Sequence, residues 1–245
     1  NQLDIKKLAF VDNSIPEYTK YLEPLFDKLI HTSEGIDIDD NKGGWPIFGA
    51  LGSLMRLMEF MMDNRHNEDD IILLVEDDYL FAPNALKKWI DAIKYYKNHF
   101  VTPFDHPDRY IRNDDQFAKK TPIHIVSNHH WRQSESATSV IGGTFSTFNK
   151  TFFLRKIPRI YIANRFYPGK YFGRELAGVD RVFNRRSHYF LGVNIYSPIP
   201  GIACHLTKFV PSPQHLFRKG VTIPKTQLSP GYDWEKRYNE LLKKV

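Results

Sequence analysis

Cysteine is nearly missing from this 245-residue sequence. Cys204 stands alone, so no intramolecular disulfide staples the fold, and a reducing compartment suits it. No uninterrupted apolar run approaches the roughly 20 residues that a membrane-spanning helix requires. The first residues also lack the basic, then apolar, then small-residue order of a secretion signal. The expected compartment is therefore the cytoplasm, with peripheral contact to a membrane left open. Long Arg/Lys runs are absent too, as are helix-turn-helix, zinc-finger and RNA-binding signatures, which argues against nucleic acid as a partner. A formal charge of +6 and a pI near 9.2 still suit something anionic, such as a nucleotide diphosphate or an anionic membrane surface. There is no internal repeat or low-complexity tract.

What is present is an alternation of strand-like and helix-like segments. Residues 7–11 form a short apolar run ending in Asp12-Asn13-Ser14, as a buried strand runs into a helix cap, and Ser14 and Glu17 have capping-box spacing. Helical spacing follows, with Pro24 expected to kink or restart the helix, and residues 28–32 read as a second strand. A helix is expected over 47–62, where Leu51, Leu54, Met55, Met58 and Met62 make one stripe. Ile71–Val75 is a continuous apolar strand of the kind found in the middle of a parallel sheet, and it runs straight into Glu76-Asp77-Asp78. Asn84 is expected to cap a helix carrying Leu86, Trp89, Ile90 and Ile93. Strand, helix, strand, helix, strand, helix in this order predicts a doubly wound α/β sheet.

The second half reads differently. Strands are expected at 100–104 and 124–127, and a β-ribbon over 138–149, with Gly142-Gly143 marking a bulge or a close backbone approach. A helix is expected at 179–186, and Asp233 is expected to cap a terminal helix. The Pro- and Gly-punctuated stretch 197–232, with Lys208, Arg218 and Lys219, is a candidate active-site loop that closes over an anionic ligand. Aromatic residues expected in loops, Trp45, Trp131, Tyr167 and Tyr171, offer stacking surfaces for sugars or bases.

Three adjacent acids after an all-apolar strand fall where ligands bind in open α/β sheets, at the carboxyl ends of strands. Like charges held together repel unless a cation sits among them, and hard divalent ions such as Mg²⁺ or Mn²⁺ take carboxylate oxygens together with substrate phosphates. The competing view is a solvated acidic turn that caps the next helix.

The order Val11-Asp12-Asn13-Ser14, Asn41-Lys42-Gly43 and Leu74-Val75-Glu76-Asp77-Asp78 resembles the family 2 type of inverting glycosyltransferase. The resemblance covers residues 7–97. It implies a GT-A fold: a Rossmann-like, mostly parallel sheet with helices on both faces, plus a smaller β-ribbon half that binds acceptor. Residues 1–97 would form the nucleotide-sugar half, and 98–245 the acceptor and catalytic half, of one domain. By the same resemblance Asp12 and Asn13 with Asn41 and Lys42 contact the nucleotide. Glu76 and Asp77 lie toward ribose and phosphates, and Asp78 binds Mn²⁺ or Mg²⁺. His205, after Pro200-Gly201-Ile202-Ala203-Cys204, resembles the late histidine that completes the metal site in many GT-A enzymes. Asp180 matches the base that deprotonates the acceptor hydroxyl, with Glu175 second.

The expected activity is transfer of a sugar, with inversion, from a UDP- or GDP-type nucleotide sugar to a carbohydrate or lipid-linked glycan hydroxyl in polysaccharide or glycan synthesis. In-line attack at the anomeric carbon needs a base on the acceptor side and a cation on the leaving diphosphate. His129-His130-Trp131 falls where such enzymes bind acceptor; it also suggests zinc, but no His/Cys spacing completes a zinc site. Two other classes stay open. A sugar-phosphate nucleotidyltransferase would carry a Gly-rich basic phosphate loop near the first strand, which is not found. A non-catalytic carbohydrate-binding module rests on the aromatic residues alone.

Overall fold

The computed structural model describes residues 5–11, 16–31, 57, 60–64, 66–76, 79–105, 121–134, 140–156, 187–205 and 232–243. The protein is α/β, and its chain divides into two compact units, 1–65 and 66–245.

In the first unit β1 (Leu8–Val11) pairs in parallel with β2 (Lys28–His31), Leu8 facing Lys28 and Val11 facing His31. Parallel neighbours need a crossover, and here it is α1 (Pro16–Leu22) followed by a 3₁₀ turn at Glu23–Leu25. Pro24 sits in the first turn of that 3₁₀ segment, where its missing N–H has no helical partner to lose; this is the restart that the sequence predicts. The Asp27 carboxylate accepts the Lys7 N–H at 2.5 Å, and the Asp27 N–H returns to the Lys7 carbonyl at 2.8 Å, fixing the start of β1 against β2. Of the helix expected over 47–62 the described part is its end: residues 60–63 are helical, Met61 is buried, and Asn64 closes it on the Phe60 carbonyl.

The second unit holds a six-stranded sheet in the order β3-β8-β5-β9-β7-β6. Its strands are β3 (Ile71–Leu74), β5 (Phe100–Val101), β6 (His124–Val126), β7 (His129–Ser134), β8 (Ile141–Thr144) and β9 (Ile195–Ile199). The sheet is mixed. Only β5 and β9 run parallel; β3 with β8, β5 with β8, β6 with β7, and β7 with β9 are antiparallel. Among the described residues the sheet is thus mixed, where the sequence led to the expectation of a mostly parallel one. Among the described residues β3 lies at the sheet's end, paired only with β8, instead of in its middle, and Val75 beyond it is exposed. An apolar run reports burial of its faces and is silent on the direction of its neighbours.

A second, two-stranded sheet pairs β4 (Tyr79–Phe81) antiparallel with β10 (Ala203–His205). Helix α2 (Ala85–Tyr95) buries Trp89, Ile90, Ala92 and Ile93, as its spacing predicts, and the Trp89 indole N–H donates to the Val101 carbonyl at 2.9 Å. Leu86 is exposed. Asn84 holds the cap position but is left-handed (φ +60°) and its side chain makes no capping bond, because capping needs extended backbone at that residue. Gly142 and Gly143 mark a close approach: a β-carbon on Gly142 would meet Leu73 and Ile93 at 2.8 and 2.7 Å.

The ribbon expected over 138–149 stops at Thr144, and helix α3 (Phe145–Lys156) begins there. Thr144 explains the switch. Its hydroxyl accepts the Thr147 N–H at 3.3 Å, as a helix N-cap does, and donates to the Lys97 carbonyl at 3.0 Å. Between β6 and β7, Ser127 and Asn128 both have positive φ (50° and 57°), the two-residue turn that suits a twisted hairpin. Asp233 caps α4 (Trp234–Leu242) as predicted, its Oδ1 accepting the Lys236 N–H at 3.0 Å, and Trp234 is buried. The helix expected at 179–186 lies outside the described residues. Of the loop expected over 197–232, residues 197–199 and 203–205 are strand, and 206–231, with Lys208, Arg218 and Lys219, lie outside.

Candidate functional site

Two of the sequence-predicted site residues fall within the described structure. Glu76 follows β3 in a non-helical, half-buried stretch, and His205 ends β10, also half-buried. Asp12, Asn13, Asn41, Lys42, Asp77, Asp78, Glu175 and Asp180 lie outside the described residues.

His205 is positioned by strand pairing. Across β4 and β10 its register partner is Tyr79, while Cys204 faces Leu80 and Ala203 faces Phe81. Residues opposite each other in an antiparallel pair share a face, and the imidazole and phenol rings meet edge to face, 4.9 Å between centroids at 68°. Tyr79 is buried and its ring meets Phe104 at 5.7 Å and 85°. Phe104 in turn bridges to Ala203, and the Ile202 and Ala203 N–H groups both donate to the Pro103 carbonyl at 3.0 Å. Strand β10 is therefore held along one side by β4 and, at its first residue, on the other by residues 103–104. Helix α4 reaches β4, the Arg237 Nε–H donating to the Phe81 carbonyl at 3.2 Å.

The His129-His130-Trp131 run does not form a ligand cluster. Strand alternation turns His129 and Trp131 inward and His130 outward. His129 donates from Nε2 to the Pro200 carbonyl at 2.7 Å; burial lowers its pKa, and that hydrogen bond opposes the shift. Trp131, expected in a loop as a stacking surface, is fully buried on β7 with its indole N–H on the Val126 carbonyl at 3.3 Å. Among the described residues no group of three His, Cys, Asp or Glu side chains could hold a metal ion. None of the described helices is long and apolar enough to cross a membrane.

Two features had no signal in the sequence. One is the Tyr79–Phe104 aromatic pair behind His205. The other is an ion pair between Arg132 and Asp105, 2.9 Å apart, with the Asp105 side chain fully buried and that of Arg132 nearly so. The partners in each pair are far apart along the chain, and nothing in either local sequence pattern points to the other.

No protein-family model, curated protein or solved structure matches this chain.

Proposed function

We propose that this protein is a metal-dependent glycosyltransferase of the GT-A type, moving a sugar from a nucleoside-diphosphate sugar to a carbohydrate hydroxyl with inversion. The observation that carries the proposal is the pairing of β4 with β10. It sets His205 across from Tyr79, and Tyr79 is bonded directly to the last acid of Glu76-Asp77-Asp78. The pairing thus sets a histidine of β10 opposite the residue that follows the three acids in sequence, which supports a site built from both segments.

The donor chemistry fits a borderline divalent ion. Carboxylate oxygens from Glu76-Asp77-Asp78 suit Mg²⁺ and Mn²⁺ alike, while an imidazole nitrogen favours Mn²⁺. Asp78 and His205 would hold the ion, and Glu76 and Asp77 would face ribose and phosphates. Such an ion neutralises the charge that develops on a departing diphosphate. Asp180, or Glu175 in its stead, would take the proton from the acceptor hydroxyl as its oxygen bonds to the anomeric carbon and the nucleoside diphosphate leaves. The acceptor would be a carbohydrate or a lipid-linked glycan, consistent with a basic chain working beside an anionic membrane from the cytoplasm.

A thermal-shift panel of nucleoside diphosphates and nucleotide sugars, with and without Mn²⁺, tests this reading, since a ligand that binds only the folded chain raises its melting temperature. UDP or GDP should stabilise the wild type in a Mn²⁺-dependent way, and Asp78→Ala should lose that response while melting normally without ligand. An unchanged Mn²⁺-dependent response in Asp78→Ala would overturn the assignment.

A further inference from the structure

We infer that Tyr189, Phe190 and Leu191 form a docking tip for an anionic membrane surface. Residues 187–191 are a short helical turn that leads into β9. Its base is locked to the protein. Ser187 and Val193 are buried, and the Val193 N–H returns to the Ser187 carbonyl at 3.0 Å. Gly192, left-handed at φ +66°, donates its N–H to the His188 carbonyl at 2.9 Å, the glycine stop of a helix. His188 Nδ1 and the Gln133 amide both donate to Asn194 Oδ1, at 2.5 and 2.9 Å. The tip does the opposite. Tyr189 is 73% exposed, although its ring meets His188 edge to face at 5.3 Å, while Phe190 is 72% and Leu191 41% exposed. Scattered exposed apolar side chains are ordinary, but three in a row on a clamped turn gain nothing for the fold and stand ready for an apolar surround.

The distribution of charge favours a membrane as that surround. From Arg181 to Tyr232 the sequence has seven Lys and Arg and no Asp or Glu, so the chain's formal excess of +6 comes from the stretch that carries this turn. Arg185 and Arg186 immediately precede Ser187 in the sequence. A Tyr-Phe-Leu tip in a basic stretch suits the boundary of an anionic bilayer, where aromatic rings settle at headgroup level and basic residues meet the lipid charge. A second protein chain fits less well, since a stable interface takes about 800 Å² from each partner and three side chains supply only part of that. A soluble anion would leave the apolar tip in water. The inference stands apart from the transfer reaction proposed above.

The test floats the full chain with vesicles of phosphatidylcholine alone or of phosphatidylcholine mixed with phosphatidylglycerol, without metal or nucleotide. The wild type should bind the anionic vesicles, come off them as salt is raised, and leave phosphatidylcholine alone. Tyr189→Ser combined with Phe190→Ser should bind the anionic vesicles on the order of tenfold more weakly. That variant should melt like the wild type, since both side chains are exposed. Phe190→Trp keeps an interfacial ring and should bind like the wild type, with tryptophan emission moving further to the blue on binding. Unchanged anionic-vesicle binding in the double serine variant would overturn the role of the turn, and no wild-type binding would overturn the membrane as partner. Vesicle binding by Phe190→Trp with no added blue shift would also overturn it, whatever the serine pair does to folding. Wild-type self-association that the serine pair abolishes, without vesicle binding, would give the tip to a second copy instead. None of these readouts involves Mn²⁺ or nucleotide, so this inference and the proposed transfer reaction fail separately.

Discussion

Gly142 on β8 and Ile93 on α2 approach so closely that a β-carbon on the glycine would lie 2.7 Å from the isoleucine Cδ1. Leu73 on β3 and Trp89 on α2 crowd the same point, at 2.8 and 3.1 Å. The glycine therefore sets how near the helix sits to the sheet. In Gly142→Ala, overpacking of about 1–3 kcal/mol competes with about 0.4–1 kcal/mol recovered from the unfolded chain's lost freedom. Ile93 is fully buried among close-packed neighbours, so moving its Cδ1 costs packing there too and overpacking outweighs that gain. The expected result is a loss of about 1 kcal/mol, roughly 2–4 °C in melting temperature for a chain of this size. Adding Ile93→Val, which removes the clashing methyl, should make the pair of substitutions less damaging than their sum. Strict additivity in denaturant melts would show that the contact does not limit packing.

The Arg132–Asp105 pair predicts a larger effect. Removing one member of a buried ion pair costs about 3–5 kcal/mol, whereas replacing both can be nearly neutral. Arg132→Met should be destabilised toward the lower end of that range, and Arg132→Met with Asp105→Leu should be clearly more stable than Arg132→Met alone. A double variant as unstable as the single one would show that the pair is not the source of the effect.

Stability should also fall on mild acidification. Burial lowers the pKa of both His99 and His129 from the ordinary value. His99 accepts the Asn194 N–H on Nδ1 at 3.2 Å, a bond that protonation there would break. The folded chain holds both rings neutral to lower pH than the unfolded chain, which takes up protons near the ordinary histidine pKa of about 6.5. The stabilisation is thus fully present above that pH and is lost as pH falls below it. Urea midpoints measured from about pH 7.5 down to about pH 5 should decline, and His99→Asn, whose amide oxygen can accept the same N–H without titrating, should decline less. An identical slope in the variant would assign the effect elsewhere.

The proposed catalytic base has its own signature. Asp180→Asn should retain Mn²⁺-dependent nucleotide-sugar binding while transfer falls by roughly 10²- to 10⁴-fold, since an amide keeps the shape but accepts no proton. Transfer at the wild-type rate would move the role to Glu175 or to another group.

Local rules in the sequence determined much about this protein by themselves. The strands expected at 7–11, 28–32 and 71–75 formed at 8–11, 28–31 and 71–74, the stripe of Trp89, Ile90 and Ile93 became the buried face of a helix, Pro24 broke one helix into another, and Asp233 capped the last. Each depends on residues within a turn or two of one another, which is the range over which side-chain period, proline and capping act. Glu76-Asp77-Asp78 and His205 were legible as residue types alone. Only the tertiary structure decided that β3 would pair antiparallel at the end of a mixed sheet, that β10 would bring His205 across from Tyr79, and that Asp105 would meet Arg132. It also decided that Thr144 would end the ribbon, because the Thr144 hydroxyl acts as a cap only where the chain turns at the edge of β8 and Lys97 offers its carbonyl. These outcomes depend on which surfaces meet across long stretches of chain, where strand direction, ring contact and charge pairing are set by the three-dimensional partner and leave no period in the sequence.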